Sequence, residues 1–142
     1  MSGVVCMEGF KSVIPYVVRV ADINYGGHVA NSAVLDFFHE GRIAYLAALG
    51  PFDELDLGGC GLIMAEARVR YRAEMKQGDR LQIGVRIPAL EGSTGTMEYR
   101  IEREGKVTAE GETRLVAFDY SKRRPTRWPE GFRAAVSAFE QD

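Results

Sequence analysis

The stretch that decides the fold is residues 31–50, which read NSAVLDFFHEGRIAYLAALG. Its apolar positions recur at the i, i+3, i+4, i+7 spacing of a helix with one buried face. They are Val34, Phe37, Phe38, Gly41, Tyr45 and Ala48. Asn31 and Ser32 are both favoured at a helix N-cap, and Gly50-Pro51 is a stop signal. The spacing therefore predicts one long helix of about 18 residues.

Strands are predicted on both sides of this helix, because apolar and polar residues alternate there with a period of two. The predicted strands span residues 12–20, 65–74, 81–87, 97–102 and 107–119. Short turns such as Lys76-Gln77-Gly78-Asp79 predict antiparallel neighbours, in the order strand, helix, then a meander of four strands. A basic segment, 122–127, precedes a short helix from about Pro129. One long helix and about five strands predict an α+β fold in which the sheet wraps around the helix.

Length and composition predict an ordinary globular protein. The 142 residues favour a single domain, 1–142, and the net charge of −2 favours neither nucleic acid nor a membrane as partner. No secretory signal is visible at the N-terminus, and no apolar run approaches the roughly 20 residues of a membrane span. The cysteines, Cys6 and Cys60, stand alone, which favours a reducing, cytoplasmic location. Two histidines and two scattered cysteines predict no metal site.

A dense polar segment, DINYGGHVAN, lies directly before the helix at residues 22–31. Gly26-Gly27 in its middle suits a tight turn. Its functional candidates are an acid, two carboxamides and a histidine: Asp22, Asn24, His28 and Asn31. A helix start has unpaired N–H groups and partial positive charge, so it stabilises the oxyanion that forms when an ester or thioester is attacked. The segment is therefore a candidate reaction site at the helix N-terminus.

The ordered set of motifs resembles a known family. The D-x-N-x-G-G-H-x-x-N segment followed by F-F-H-E-G-R at 37–42 is similar to the 4-hydroxybenzoyl-CoA thioesterase group of hotdog acyl-CoA thioesterases. Further matches are Tyr71-Arg72-Ala73-Glu74, Gly78-Asp79-Arg80-Leu81, Gly105 with Ala109-Glu110-Gly111, and Val116-Ala117-Phe118-Asp119. The resemblance, over residues 12–132, implies the hotdog fold and hydrolysis of acyl-CoA thioesters, with coenzyme A as part of the substrate and no cofactor.

The resemblance also implies self-association and a shared site. Members form homodimers, often dimers of dimers (homotetramers), and their active sites lie between two subunits. One helix N-terminus supplies the oxyanion N–H, here near Asn31, and the nucleotide of coenzyme A lies near basic residues. In this chain the matching basic residues are Lys122, Arg123 and Arg124.

The base is left open by the resemblance. Many members carry a catalytic aspartate two residues after the position of Asp22, where this chain has Asn24. A carboxamide is neither an anionic nucleophile nor a base, so Asn24 would orient water or donate to the carbonyl. Plant-type acyl carrier protein thioesterases are similar through an Asp-x-Asn-x-His set, although His28 lies two positions further on. The candidates are Asp22, His28 and a residue from another chain.

Glu40 is the candidate from another chain, because some hotdog thioesterases use a helix carboxylate. It lies about 13.5 Å along the predicted helix from Asn31 and about 180° around it. The two residues could therefore serve one site only across a dimer interface, and Asp36 has a similar but weaker claim.

Two alternative functions remain open. One is hydrolysis of acyl groups on a carrier protein. The other is non-catalytic binding of acyl-CoA, which is consistent with the loss of the acid at Asn24.

Overall fold

The computed structural model describes residues 6–141. Its strands and helices are β1 (Ser12–Val17), α1 (Asn31–Leu49), β2 (Gly61–Tyr71), β3 (Arg80–Glu91), β4 (Thr94–Arg103), β5 (Lys106–Asp119), β6 (Arg124–Pro125) and α2 (Glu130–Glu140). A single turn of 3-10 helix, Val20–Asp22, follows β1. The first strand is shorter than the predicted 12–20, because the backbone of Val18 bonds to Gly78 and Asp79 in the turn before β3.

Within the described residues, six strands form one antiparallel sheet in the order β1-β3-β4-β5-β2, with the short β6 on β5. The α+β hotdog architecture is confirmed, but the four-strand meander is wrong. Only β3, β4 and β5 are neighbours both along the chain and in the sheet, and β2 pairs with β5 at the edge opposite β1. Charge favours this pairing, since Arg68 and Arg70 of β2 stand opposite Glu112 and Glu110 of β5.

Helix α1 packs its apolar face on the sheet, with Phe37, Phe38 and Tyr45 almost completely buried. A Cβ at Gly41 would lie 2.7 Å from Cγ2 of Val85, so glycine allows the helix to approach the side chains of β3. The predicted N-cap, Asn31 or Ser32, is wrong. Helix α1 begins at Asn31, and its N-cap is Ala30, which has no side-chain acceptor.

The charged end of the F-F-H-E-G-R motif ties α1 to the middle of the sheet. The buried guanidinium of Arg42 donates to the Tyr99 hydroxyl at 3.0 Å and pairs with Glu54. The same hydroxyl lies 2.7 Å from Oγ1 of Thr113, and Glu54 lies 3.2 Å from Nε2 of His39. This network fixes α1 on the sheet and so fixes where its N-terminus lies.

Helix α2 closes the other end of the core. Its Phe132 and Val136 are buried, and Phe132 stacks on Trp128. Glu140 accepts hydrogen bonds from the Tyr45 hydroxyl at 2.6 Å and the Ile87 N–H at 2.9 Å. In residues 6–141 no helix has the length and apolar character needed to cross a bilayer.

Candidate functional site

The polar segment before α1 forms a loop that is bonded to the β2–β3 connection. Within the loop, the N–H of Asn24 donates to the carbonyl of His28 at 2.9 Å. The turn between them passes through Gly27 at φ +79°, a conformation that glycine adopts without strain. The N–H of Val29 then donates to the carbonyl of Met75 at 2.8 Å. These bonds hold the loop against the chain that leaves β2.

A cavity of about 390 Å³ opens between this loop, the N-terminus of α1 and the end of β2. Three of the predicted site residues, Asn24, His28 and Asn31, line it together. The other lining residues are Val29, Val34, Tyr71, Arg72, Ala73, Glu74 and Met75. The cavity therefore has polar groups at the helix end and an apolar wall, the combination typical of small-molecule sites.

The N-terminus of α1 gives this cavity its electrostatic character. Because Ala30 cannot cap the helix, no side chain of the N-cap competes for the N–H groups of the first turn. The Tyr71 hydroxyl donates to the carbonyl of Asn31 at 3.1 Å and braces the first residue of the helix against β2. N–H groups at the positive end of a helix dipole favour an anion at this position.

His28 and Asn24 offer complementary groups. The Oδ1 of Asn24 accepts the Gly26 N–H at 3.0 Å, so the NH2 group is what this side chain presents to a ligand. The Nδ1 of His28 is buried and makes no hydrogen bond within residues 6–141. Oε2 of Glu74 lies 3.4 Å from that Nδ1, within ion-pair distance but without the alignment of a hydrogen bond.

Asp22 lies close in sequence but does not line the cavity. Its buried carboxylate accepts hydrogen bonds from the Tyr16 hydroxyl at 2.7 Å and from the backbone N–H of Arg19 at 2.9 Å. The Arg19 guanidinium lies 3.4 Å away. Burial acts to raise the pKa of Asp22, but these hydrogen bonds and the neighbouring charge together hold it below its usual value. The carboxylate holds the start of the loop.

The other candidates lie outside the cavity. Glu40 and Asp36 are exposed on α1 and do not line the cavity. Glu40 lies nine residues from Asn31, about 13.5 Å along the helix of the same chain. The exposed residues 122–124 follow β5, and the last residues of β5 pair with the start of β2. The cavity lies at the other end of β2, beside Tyr71. The ladder between these ends is eleven residues long, about 33 Å.

Three lining residues, Tyr71, Glu74 and Met75, are not predicted for this site by the sequence. They come from the end of β2 and the turn that follows, forty or more residues from the polar loop. The available signal was the Tyr71-Arg72-Ala73-Glu74 motif directly before a predicted turn. Among the residues that the structure describes, no group of three or more His, Cys, Asp or Glu side chains is arranged to hold a metal ion.

Known proteins share this architecture over nearly the whole chain. A thioesterase from Thermus thermophilus, whose crystal structure is described as a complex with coenzyme A and Zn, is 32% identical with a TM-score of 0.86. The match covers 96% of this chain and 98% of that one. Slr0204 from Synechocystis, described as a 1,4-dihydroxy-2-naphthoyl-CoA thioesterase, shares the fold with a TM-score of 0.82. It is 19% identical, and the match covers 92% of this chain and 98% of that one.

Sequence comparison gives the same relationship. The acyl-CoA thioesterase YbgC from Haemophilus influenzae is 24% identical over 130 residues, 90% of this chain and 94% of that protein. A family model described as "Thioesterase-like superfamily" matches residues 18–136, which include the polar loop, α1 and the sheet strands β2 to β5. The chain belongs to the thioesterase-like superfamily.

Proposed function

We propose that this protein hydrolyses acyl-CoA thioesters to a free acid and coenzyme A in the cavity at the N-terminus of α1. The observation that carries the proposal is that an uncapped helix N-terminus opens into the same cavity as Asn24 and His28. The relatives named as thioesterases, one of them complexed with coenzyme A, support this activity. The free thiols of Cys6 and Cys60 fit the proposed cytoplasmic location.

In the proposed mechanism the thioester carbonyl points at the start of α1. The N–H of Asn31 donates to the carbonyl oxygen, and that bond strengthens as the oxygen becomes an oxyanion. The NH2 of Asn24 donates to the carbonyl or to the attacking water. The acyl chain then lies along Val29, Val34 and Met75, the apolar wall of the cavity.

His28 is the proposed base. Its Nε2 takes a proton from water as the water oxygen attacks the carbonyl carbon, which gives a tetrahedral intermediate and an imidazolium. The intermediate collapses as the C–S bond breaks, and the imidazolium returns the proton to the thiolate of coenzyme A. The products are the carboxylic acid and the thiol, and the enzyme is regenerated.

Physical arguments favour His28 over the carboxylates. Asp22 is fully engaged by Tyr16 and Arg19, and moving its carboxylate into the cavity would break those bonds. Glu40 is exposed on α1 and could act only on the site of a partner subunit. We therefore assign Asp22 to holding the loop and leave Glu40 a role that requires the dimer.

A homodimer through β2 would complete the site. Strand β2 is an edge of the sheet, and most of its length is exposed, including Ile63 at 36% and Met64 at 46%. A long exposed edge strand is a template for pairing with a second chain, and a two-fold axis makes such pairing antiparallel. The first residues of the partner's β2 would then lie beside Tyr71 and cover the mouth of the cavity.

The same symmetry supports the coenzyme A assignment. Within one chain, residues 122–124 lie at the opposite end of β2 from the cavity. An antiparallel β2 pair brings that end of the partner subunit beside the cavity, together with the partner's Lys122, Arg123 and Arg124. These cations would contact the nucleotide phosphates in trans.

The direct test measures thiol release from short, medium, long-chain and aromatic acyl-CoAs, and from acyl carrier protein thioesters, with the wild type and His28→Gln. We expect turnover of at least one acyl-CoA and a loss of about 10²-fold or more in kcat in the variant. Turnover confined to carrier-protein substrates would favour the carrier-protein alternative. Saturable binding without release from any thioester would favour the non-catalytic binder.

A further inference from the structure

A carboxylate that the catalytic proposal leaves unused lies beside the base. Oε2 of Glu74 is 3.4 Å from Nδ1 of His28, and that nitrogen is buried with no hydrogen bond in residues 6–141. A buried polar nitrogen without a partner is uncommon and unfavourable. His28 is also the only basic side chain that pairs with Glu74 within the described part of the chain.

The backbone on both sides of this pair is held in place. The carbonyl of Glu74 accepts a hydrogen bond from Nη1 of Arg103 at 2.6 Å, and Arg103 also bonds to Asp79 at 3.1 Å. On the other side, the backbone of His28 forms an antiparallel bridge with Lys76. The two side chains are thus kept adjacent by main-chain contacts, whereas the carboxylate of Glu74, whose side chain is 69% exposed, is free to turn.

We propose that Glu74 is the positioning residue that makes His28 a base. This inference rests on the proposed function. A small rotation of the Glu74 side chain makes Nδ1–H of His28 donate to its carboxylate. Neutral imidazole carries one N–H, so a proton on Nδ1 leaves the lone pair on Nε2, the nitrogen that removes the proton from water. The adjacent negative charge also stabilises the imidazolium that forms in the transition state.

A double-mutant cycle tests this role. We expect Glu74→Gln to lower kcat by about 10- to 100-fold with KM within about twofold, by analogy with other groups that orient a reactive side chain. Glu74→Asp should recover part of the loss. In a His28→Gln background, Glu74→Gln should have no further effect, because Glu74 acts only through that ring. Glu91→Gln, an exposed glutamate at the far end of β3, is the matched control.

The tautomer of His28 gives a readout that needs no turnover. The chain contains two histidines, so ¹⁵N spectra of the imidazoles can be assigned with His39→Gln. We expect the neutral ring of His28 to carry its proton on Nδ1 in the wild type and to lose that preference in Glu74→Gln.

Two results would overturn the inference: an unchanged tautomer in Glu74→Gln, or equal losses from Glu74→Gln with and without His28. If Glu74→Gln is fully active while His28→Gln is slow, the role of Glu74 is refuted and the proposed function stands. If the wild type hydrolyses no thioester, the proposed function fails, and the tautomer measurement still decides whether Glu74 orients the ring.

Discussion

The carboxylate of Asp22 lies 2.7 Å from the hydroxyl of Tyr16, and this bond anchors the loop that carries Asn24 and His28. Burial and the neighbouring carboxylate raise the pKa of Tyr16 to about 12, so the hydroxyl remains a donor across the physiological range. The carbonyl of Asp22 in turn accepts the N–H of Ala30 at 3.0 Å. One acidic residue therefore fixes both the entry to the loop and the start of α1.

We expect Asp22→Asn to lower the free energy of unfolding by about 2 kcal/mol at neutral pH, because hydrogen bonds to a charged acceptor are lost. The folded-state pKa of Asp22 is depressed, so its stabilisation is present above the unfolded-state pKa near 3.8 and is lost as the pH falls through the folded-state value. Urea unfolding from pH 7 to pH 2 should show the two curves converging below about pH 4. A difference that is constant at all pH values would contradict this account; Asp36→Asn is the exposed control.

The oxyanion role of the Asn31 backbone can be tested by proline. Asn31 is the first residue of α1, where proline is tolerated, and Ala30 has φ −67° and ψ 145°, which suits a residue before proline. Asn31→Pro removes the N–H and should lower kcat by about 10² to 10³, while Asn31→Ala keeps the N–H and most of the activity. Circular dichroism should show equal helix content. Equal activity in the two variants would exclude this N–H as a donor.

Local pattern was sufficient for α1 and for the strands that alternate regularly, because helix and strand periods differ and each element buries one face. It did not predict which strand β2 pairs with, because the partner of an edge strand depends on residues about forty positions away. Arg70 hydrogen-bonds to Glu112, a contact that spacing alone does not reveal. The polar loop was identified because its residues are adjacent in sequence. Glu74 and Met75 were not, because only the fold brings them to His28.

Gly41 offers a test of how closely α1 packs on the sheet. Replacing a mid-helix glycine by alanine usually stabilises a helix by up to about 1 kcal/mol. Here a Cβ would lie 2.7 Å from Val85 and 2.9 Å from Ile83, so overpacking should dominate. We expect Gly41→Ala to destabilise the protein by about 1–3 kcal/mol in urea unfolding. Gly131→Ala in α2, where a Cβ has no neighbour within 4 Å, should be neutral or stabilising, and stabilisation in both variants would be inconsistent with close packing at Gly41.

The proposed dimer predicts that a charge on β2 separates the subunits. Met64 is 46% exposed in the single chain, so Met64→Lys should leave the fold intact while burying a cation at the β2 pair. We expect sedimentation velocity to show a dimer for the wild type, a 15.7 kDa monomer for Met64→Lys, and reduced thioester hydrolysis in the monomer. Val17→Lys is matched in exposure at 49% but lies on β1, the opposite edge, and should remain dimeric. A wild-type monomer with full activity would rule out the shared site.

The basic loop 122–124 predicts a difference between two substrates that carry the same acyl group. If its cations contact the nucleotide phosphates, the triple substitution Lys122→Ala/Arg123→Ala/Arg124→Ala should raise KM for the acyl-CoA about tenfold and leave kcat unchanged, because contacts far from the carbonyl contribute equally to substrate and transition-state binding. The corresponding acyl-pantetheine lacks the nucleotide, so its KM should not change. The KM difference should also shrink as salt increases, since exposed charges are screened. An equal rise in KM for both substrates would instead show that the loop affects the shape of the cavity and does not contact the nucleotide.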